Sequence, residues 1–419
     1  MHYRAAPILN RRLLFYSLSL AYICAGIHSV LPGASLPLLA ENTHVPLDIA
    51  GSSFASSALG FVIGVLIAGV LTTKLNSKYI LFGGLGLMSV AGAIIPLTHS
   101  FSILLISQLI KGVGFGLIDV SINTIATLAF HDTLGETLNN VHSSYGIGAL
   151  VGPLLLSLSL QVLNEAFWAY FVGTVVGFVV MFLLLRQAVP SLPTQHENRQ
   201  LQNPSLSFGV FRQVLLWLMA LQIALYVGAE IGFGNWIVTA VSQSAGITLS
   251  VAAPAATAFF LGLTIGRLLG AQVLKRRLLS ENRLLYLCIL GGCFTGILVA
   301  VFPGQIVVSF GVSTLVGFFY GPLFPGIMAI ASRQFVHVLG IVSSVMLVST
   351  GTAAMVLPAL MGILIPLIGI NWVLVIPALC CLLIIVPFAL AIWQQRHTLH
   401  LQNDGHTMKE ETPLSTKAQ

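Results

Sequence analysis

Charge is what this sequence has least of. Only 7% of its 419 residues are Asp, Glu, Lys or Arg, while 57% are hydrophobic. Soluble domains carry about 25% charged residues, so a body folded in water is excluded and an all-α protein of many membrane spans is expected. The net charge of +6 forms no basic patch, because the cations sit in short connecting stretches. That excludes a nucleic-acid footprint and leaves the lipid bilayer as the surrounding partner. Cysteine is scarce too. Cys24, Cys288, Cys293, Cys380 and Cys381 all lie in apolar runs, as small core residues rather than a disulfide framework. There is no Walker loop, no paired metal-ligand motif and no long polar stretch to house a nucleotide. An enzyme is therefore not expected. No cofactor is expected either, beyond H+ or Na+ as a coupling ion, and any transport is secondary.

Long apolar runs are what the sequence does have. Arg11-Arg12 followed by Leu13 to Ile27 has the shape of a signal peptide, but the apolar run continues to Leu39 without a clear cleavage site. It is expected to remain as the first helix. Apolar segments bounded by polar or Pro/Gly punctuation predict twelve spans, at about 12–39, 49–73, 78–97, 101–129, 139–163, 167–186, 213–241, 251–274, 282–302, 305–333, 337–368 and 371–394. With the N-terminus inside, the basic residues between spans all fall on one side. They are Arg4, Arg11, Arg12, Lys74, Lys78, Arg199, Lys275, Arg276, Arg277, Arg396, Lys409 and Lys417, with Arg186, Arg212, Arg283 and Arg333 at span ends. The outward loops hold Glu41, Asp48 and Glu165 instead. Both termini are expected in the cytoplasm, and the bilayer is expected to be a bacterial inner membrane.

Glycines suggest an internal repeat. Gly60-x-x-x-Gly64 matches Gly262-x-x-x-Gly266 at an offset of 202, and Gly114 matches Gly317 and Gly148 matches Gly351 at 203. A shared offset near half the chain predicts a parallel duplication of six spans, as in transporters whose halves rock around a midplane site. The expected organisation is a bundle over 1–186, a linker over 187–211 containing Pro190, Pro193 and Pro204, a second bundle over 212–395, and a polar disordered tail over 396–419. A monomer is expected.

Within the run Val214 to Val241, the stretch from Tyr226 to Trp236 holds three glycines, Glu230 and Asn235. A carboxylate in hydrocarbon is costly unless it faces protein or a water-filled cavity. The glycines (228, 232, 234) are expected to loosen the helix there, as irregular backbone lining a cavity. Of the acids, only Asp119 and Glu230 lie well inside spans, and Lys111 reads as the only deeply placed cation. Lys111 and Glu230 are expected at similar depth, approaching each other across the cavity; a fixed ion pair that only holds packing is the alternative. Asp119 shares a helix face with Asn123, and His142 opens the next span at nearly the same depth. These three are the candidate ion-coupling residues, the plainer possibility being hydrogen bonds that glue helices together. Gln222, Tyr226 and Glu230 recur every four residues as one polar stripe, and with Asn235 and Trp236 they offer the amide, phenol, carboxylate and aromatic face a hydroxyl-rich solute needs. Gln108, Lys111 and Tyr320 complete the candidate solute-binding set, with Tyr22 and His28 as further candidates. Pro322 and Pro325 are expected to bend the tenth span.

Taken together these features resemble the major facilitator superfamily over nearly the whole chain. In its signature between the second and third helices, Gly69, Lys74 and Lys78 fit, while Thr73 stands in place of an acid and Asn76 in place of a glycine. Several stretches resemble the branch of fucose permeases and sodium-dependent glucose transporters. They are Gly112-Val-Gly-Phe-Gly-Leu-Ile-Asp119-x-x-x-Asn123, Val141-His142-x-x-x-Gly146-x-Gly148-Ala149-x-x-x-Pro153, Tyr226-Val-Gly-Ala-Glu230-x-Gly-x-Gly-Asn-Trp236, Gly262-x-x-x-Gly266-Arg267 and Phe324-Pro325. The resemblance implies a monosaccharide-like substrate, alternating access, and a membrane carboxylate that couples solute to a proton or sodium ion. Gly148-x-x-x-Gly152-Pro153 is also similar to a helix of drug/proton antiporters, although Leu154 to Leu156 follow where further glycines are expected. Efflux is thus the second reading, with an uncoupled facilitator and a non-transporting sensor behind it.

Overall fold

The apolar runs all become helices. The computed structural model describes residues 10–72, 74–185, 187, 189, 209–335 and 339–394. Twelve spans cross it: α1 Arg11–Ala34, α2 Leu47–Leu71, α3 Ser77–Leu97, α4 Phe101–Ala129, α5 Thr137–Val162, α6 Phe167–Leu185, α7 Val214–Ala245, α8 Leu249–Lys275, α9 Glu281–Val301, α10 Ile306–Gln334, α11 Val345–Ile368 and α12 Ile370–Gln394. Most of the expected linker, the whole tail, and Arg4, Thr73, Arg186, Arg199, Arg396, Lys409 and Lys417 lie outside the described residues.

Local chemistry sets the ends. The Asn10 side chain accepts from the Leu13 amide at 3.1 Å, Asn76 from Lys78 at 2.9 Å, and Ser280 from Arg283 at 3.4 Å. Each satisfies an N–H that the first turn leaves unpaired. α7 stops at Gly246, whose φ of 61° is the left-handed conformation that lets its N–H return to the Ser242 carbonyl. α10 breaks at Gly321–Pro322, between Ile306–Tyr320 and Leu323–Gln334, as its proline leads one to expect. α7 does not break. The irregular backbone expected around Gly228, Gly232 and Gly234 is instead continuous helix. Those glycines admit neighbours: Gly228 faces Leu357 and Ala353, Gly232 faces Met361, and Gly234 faces Phe259 and Phe260.

Two bundles of six share one contact pattern. In the first, α2 and α3 pack on α4, α5 and α6 on α1, and α3 on α6; in the second, α8 and α9 pack on α10, α11 and α12 on α7, and α9 on α12. Glycine carries the α2–α4 and α8–α10 contacts. A Cβ on Gly60 would fall on the Leu109 carbonyl and one on Gly112 on the Ser57 carbonyl, just as Gly262 meets Thr314 and Gly317 meets Phe259. The repeat is real but its register differs from expectation. The structural partner of Gly317 is Gly112, an offset of 205 (317 − 112), whereas Gly114 lies on Gly84 of α3. Nor are Gly148 and Gly351 equivalent: Gly148 lies on Ile23 within the first bundle, and Gly351 on Val62 of the opposite one.

Because successive spans alternate in direction, Arg11, Arg12, Lys74, Lys78, Lys275, Arg276, Arg277, Arg283 and Arg333 gather at one end of the molecule, and Glu41, Asp48 and Glu165 at the other. At this second, far end the bundles meet. Gly33 of α1 lies on Asn235, Thr257 donates to the Leu150 carbonyl at 2.9 Å, and Ser157 donates to the Ser250 carbonyl at 2.6 Å. A continuous apolar core runs through both bundles here, while the basic half of the first bundle has a separate core around Leu14, Leu81, Ile122 and Val180. Toward the basic end the polar face of α5 (Asn139, Asn140, His142, Ser143) is exposed. The molecule is shut at the far end and open at the basic end. Large apolar side chains such as Leu66 and Phe294 face outward, where lipid solvates them.

Candidate functional site

The floor of the opening holds two polar clusters, one from each bundle. In the first, the i, i+4 spacing of Asp119 and Asn123 places both on the side of α4 that meets α1 and α5. The Tyr22 hydroxyl donates to Asp119 Oδ1 at 2.7 Å. Asn123 Nδ2 donates to the Asp119 carbonyl at 2.8 Å, which leaves its Oδ1 facing His142 Nε2 at 3.1 Å. The imidazole also packs on the Tyr22 ring, with centroids 4.9 Å apart. Asp119 and Asn123 are half-buried and His142 is exposed. The carboxylate–phenol pair and the amide–imidazole pair thus lie together between the protein interior and the open end, joined through the Asp119 backbone carbonyl, and the carboxylate is the group there that can take up or release a small cation.

In the second cluster, Glu230 of α7 meets Arg267 of α8, Oε1 to Nη2 at 3.6 Å, with side chains 18% and 38% exposed. This corrects the expected pairing of Glu230 with Lys111. Depth along a span fixes height but not azimuth, and the cation at Glu230's height and facing is Arg267. It also corrects the expectation that Lys111 is the only deep cation. Tyr226, one turn before Glu230, is buried edge-on to Tyr320 and tilted against Phe324, centroids 6.2 and 6.1 Å away.

Between the clusters stands an aromatic wall of Phe61, Phe115 and Tyr145. Phe115 and Tyr145 stack at 5.7 Å with 16° between planes, and Phe61 lies 5.2 Å from Phe115. Tyr145 is within electrostatic reach of Asp119, Glu230 and Arg267 alike, and Arg267 within reach of His142. The two bundles therefore address one space. Arg267 and Tyr145 are the residues that sequence reasoning missed. A cation directly after Gly262-x-x-x-Gly266, well inside an apolar run, was the available signal for the first; Tyr145 had none beyond its place beside Gly146.

Other candidates lie elsewhere. Gln222 Nε2 donates to the Pro387 carbonyl at 3.3 Å and the Tyr320 hydroxyl to the Pro377 carbonyl at 3.1 Å, so both face α12 rather than the opening. The stripe fails because each four-residue step overshoots a helical turn by about 40°, so Gln222 and Glu230 point about 80° apart. Asn235 is half-buried against Gly33. Trp236, expected as a solute platform, is fully buried at the far end. Its Nε1 donates to the Pro358 carbonyl at 2.9 Å, its ring meets Phe54 edge-on at 5.8 Å, and Gly51 and Gly362 make room for it. It is a plug joining α2, α7 and α11. Replacing a buried Trp by Ala removes about 3–5 kcal/mol of packing. Ser53, buried on α2 next to Phe54, supplies a reporter position, and Trp236→Ala should therefore speed labelling of a Ser53→Cys thiol by an impermeant reagent applied from the far side, by about tenfold or more. An unchanged rate would show that the plug does not hold the far end shut. Gln108, Lys111 and His28 are buried inside the first bundle, away from both clusters.

Comparison with known proteins agrees with this architecture. The family model described as Major Facilitator Superfamily matches residues 18–348 and 280–417. Sodium-dependent glucose transporter 1A of Mus musculus is 24% identical, over 82% of this chain and 88% of its own. Glucose/mannose transporter GlcP of Bacillus subtilis is 23% identical, over 81% and 85%. Among solved structures, a single-residue variant of the E. coli fucose:proton symporter FucP superposes with a TM-score of 0.63 at 19% identity, covering 91% of this chain and 99% of that one.

Proposed function

The chain belongs to the Major Facilitator Superfamily, and we propose that it is a secondary active transporter moving a sugar or similar small polar solute by alternating access, coupled to a proton or sodium ion. Its relatives are transporters rather than enzymes. The names of those relatives, two glucose transporters and a fucose:proton symporter, support sugar as the cargo. One observation carries the proposal: a carboxylate bonded to a phenol on one bundle and an acid–arginine pair on the other share an opening walled by aromatic rings. Aromatic faces suit the apolar side of a sugar ring, and the charged groups suit its hydroxyls. By the positive-inside rule the basic end is cytoplasmic, so the conformation is inward-open. The moving units are the bundles ending near 186 and beginning near 212, each carrying one cluster.

Purified protein in proteoliposomes tests this with a panel of neutral sugars and sugar acids, with and without imposed proton or sodium gradients. At least one should accumulate under a gradient, and Glu230→Gln should weaken its apparent affinity by about tenfold, the effect of losing a charged hydrogen-bond partner. Movement of lipophilic cations alone would make the protein an antiporter of drugs instead.

A further inference from the structure

Gln108, His28 and Lys111 of the first bundle belong to neither cluster. Gln108 is fully buried, and neither its amide oxygen nor its nitrogen has a hydrogen-bond partner. His28 is equally buried, and among the described residues its ring meets no side-chain hydrogen-bond partner, only the Gly173 backbone. Lys111, one turn beyond Gln108 on the same helix, is 4% exposed and lies within electrostatic reach of His28. The imidazole is seated between α3 and α6: a Cβ at Gly92 would strike the ring, and one at Gly173 would come within 2.9 Å of Nε2. The seat is built for this side chain.

The charges do not balance around it. The spans hold two deep acids, and both are engaged elsewhere, Asp119 with Tyr22 and Glu230 with Arg267. Among the described residues Lys111 has no carboxylate and no hydrogen-bond acceptor. An ammonium at membrane depth is retained only where something compensates it. An amide, an imidazole and an ammonium together can both donate to and accept from an oxyanion and its neighbouring hydroxyls. Along α4 Lys111 lies about 12 Å from Asp119, toward the end that is now shut and one turn from Phe115 of the aromatic wall.

We propose that Lys111, Gln108 and His28 form a subsite for a carboxylate carried by the solute, which makes the transported class acidic sugars or polyols, such as uronic and aldonic acids. This rests on the transporter reading above and narrows it. A small inorganic anion could supply the same charge, and the test separates the two.

Proteoliposomes with the full chain are loaded with labelled glucose or labelled glucuronate, and unlabelled glucose, glucuronate and gluconate compete, in chloride and in chloride-free isethionate media. The acids should compete at concentrations lower by about ten- to a hundredfold than glucose, the effect of a charged hydrogen bond. Lys111→Gln should erase that ratio, Lys111→Arg should keep most of it, and Gln108→Leu should narrow it. The proposal is overturned if glucose enters and the acids compete no better, or if the ratio survives in Lys111→Gln. It is also overturned if chloride stimulates glucose uptake in the wild type and not in Lys111→Gln, which would give the subsite to an inorganic anion. If no neutral sugar of the wider panel and no acid enters under any gradient, the transporter reading itself fails.

Discussion

In proteoliposomes carrying an imposed ion gradient, Asp119→Asn should accumulate no solute above the outside concentration while still exchanging labelled for unlabelled solute. The amide has nearly the shape of the carboxyl and still accepts from the Tyr22 hydroxyl, whose bond is 2.7 Å long in the native protein. Packing around α1 and α4 is therefore kept. What is lost is a group that can bind a proton or sodium ion at one face of the membrane and release it at the other. The effect is large because the gradient does the work. A charge crossing 100 mV carries about 2.3 kcal/mol, enough for roughly fiftyfold accumulation at 1.4 kcal/mol per decade. The variant should hold a ratio of about one. Wild-type accumulation by Asp119→Asn would remove Asp119 from coupling; a wild-type protein that never accumulates would be a facilitator.

The second large effect is expected at Arg267. Cutting it to Gln leaves Glu230 without the cation it faces at 3.6 Å. Breaking a fully buried pair costs about 3–5 kcal/mol. With these side chains 38% and 18% exposed, water recovers part of that, and about 1–3 kcal/mol remains. Apparent solute affinity should fall by about ten- to a hundredfold, and melting of the purified protein should come earlier. Arg267→Lys keeps the charge but not the planar fork, so it should restore stability better than affinity. The double variant Glu230→Gln, Arg267→Gln separates the two roles. Removing both charges should return the melting temperature toward wild type without returning uptake, because no unpaired charge is left and no solute contact is regained. Wild-type affinity in the single Arg267 variant would show that the pair only braces α7 against α8.

Much of this molecule can be read without coordinates, because hydrocarbon permits so few solutions. The twelve spans were legible since each apolar run has to satisfy its own backbone as a helix. Asp119 and Glu230 stood out for a related reason: an acid in such a run is rare. Their partners were hidden, because a one-dimensional pattern carries depth but not facing. Depth along the spans suggests Lys111 for Glu230, yet Glu230 faces Arg267, and Gln222 shares a stripe with Glu230 yet turns to α12. Trp236 was misplaced on similar grounds. An indole near a span end reads as a solute platform or as an interfacial anchor, and the Gly51 and Gly362 backbones that receive it show a plug instead. The duplication was visible through Gly60 and Gly262, but with forty glycines in the chain its register in α4 and α10 could not be told from coincidence until each was seen against its neighbour.

The creases between α2 and α4 and between α8 and α10 set a limit on how such a molecule can swing. At Gly60, Gly112, Gly262 and Gly317 main chain rests on main chain, and a contact without side chains has no rotamers to exchange. Each helix pair then travels as a splinted unit, and the give must come where larger groups slide, along α5 past α8 and α2 past α11. Two spectroscopic labels set across either crease would keep a constant spacing throughout turnover, an internal ruler for measuring the displacement of everything else.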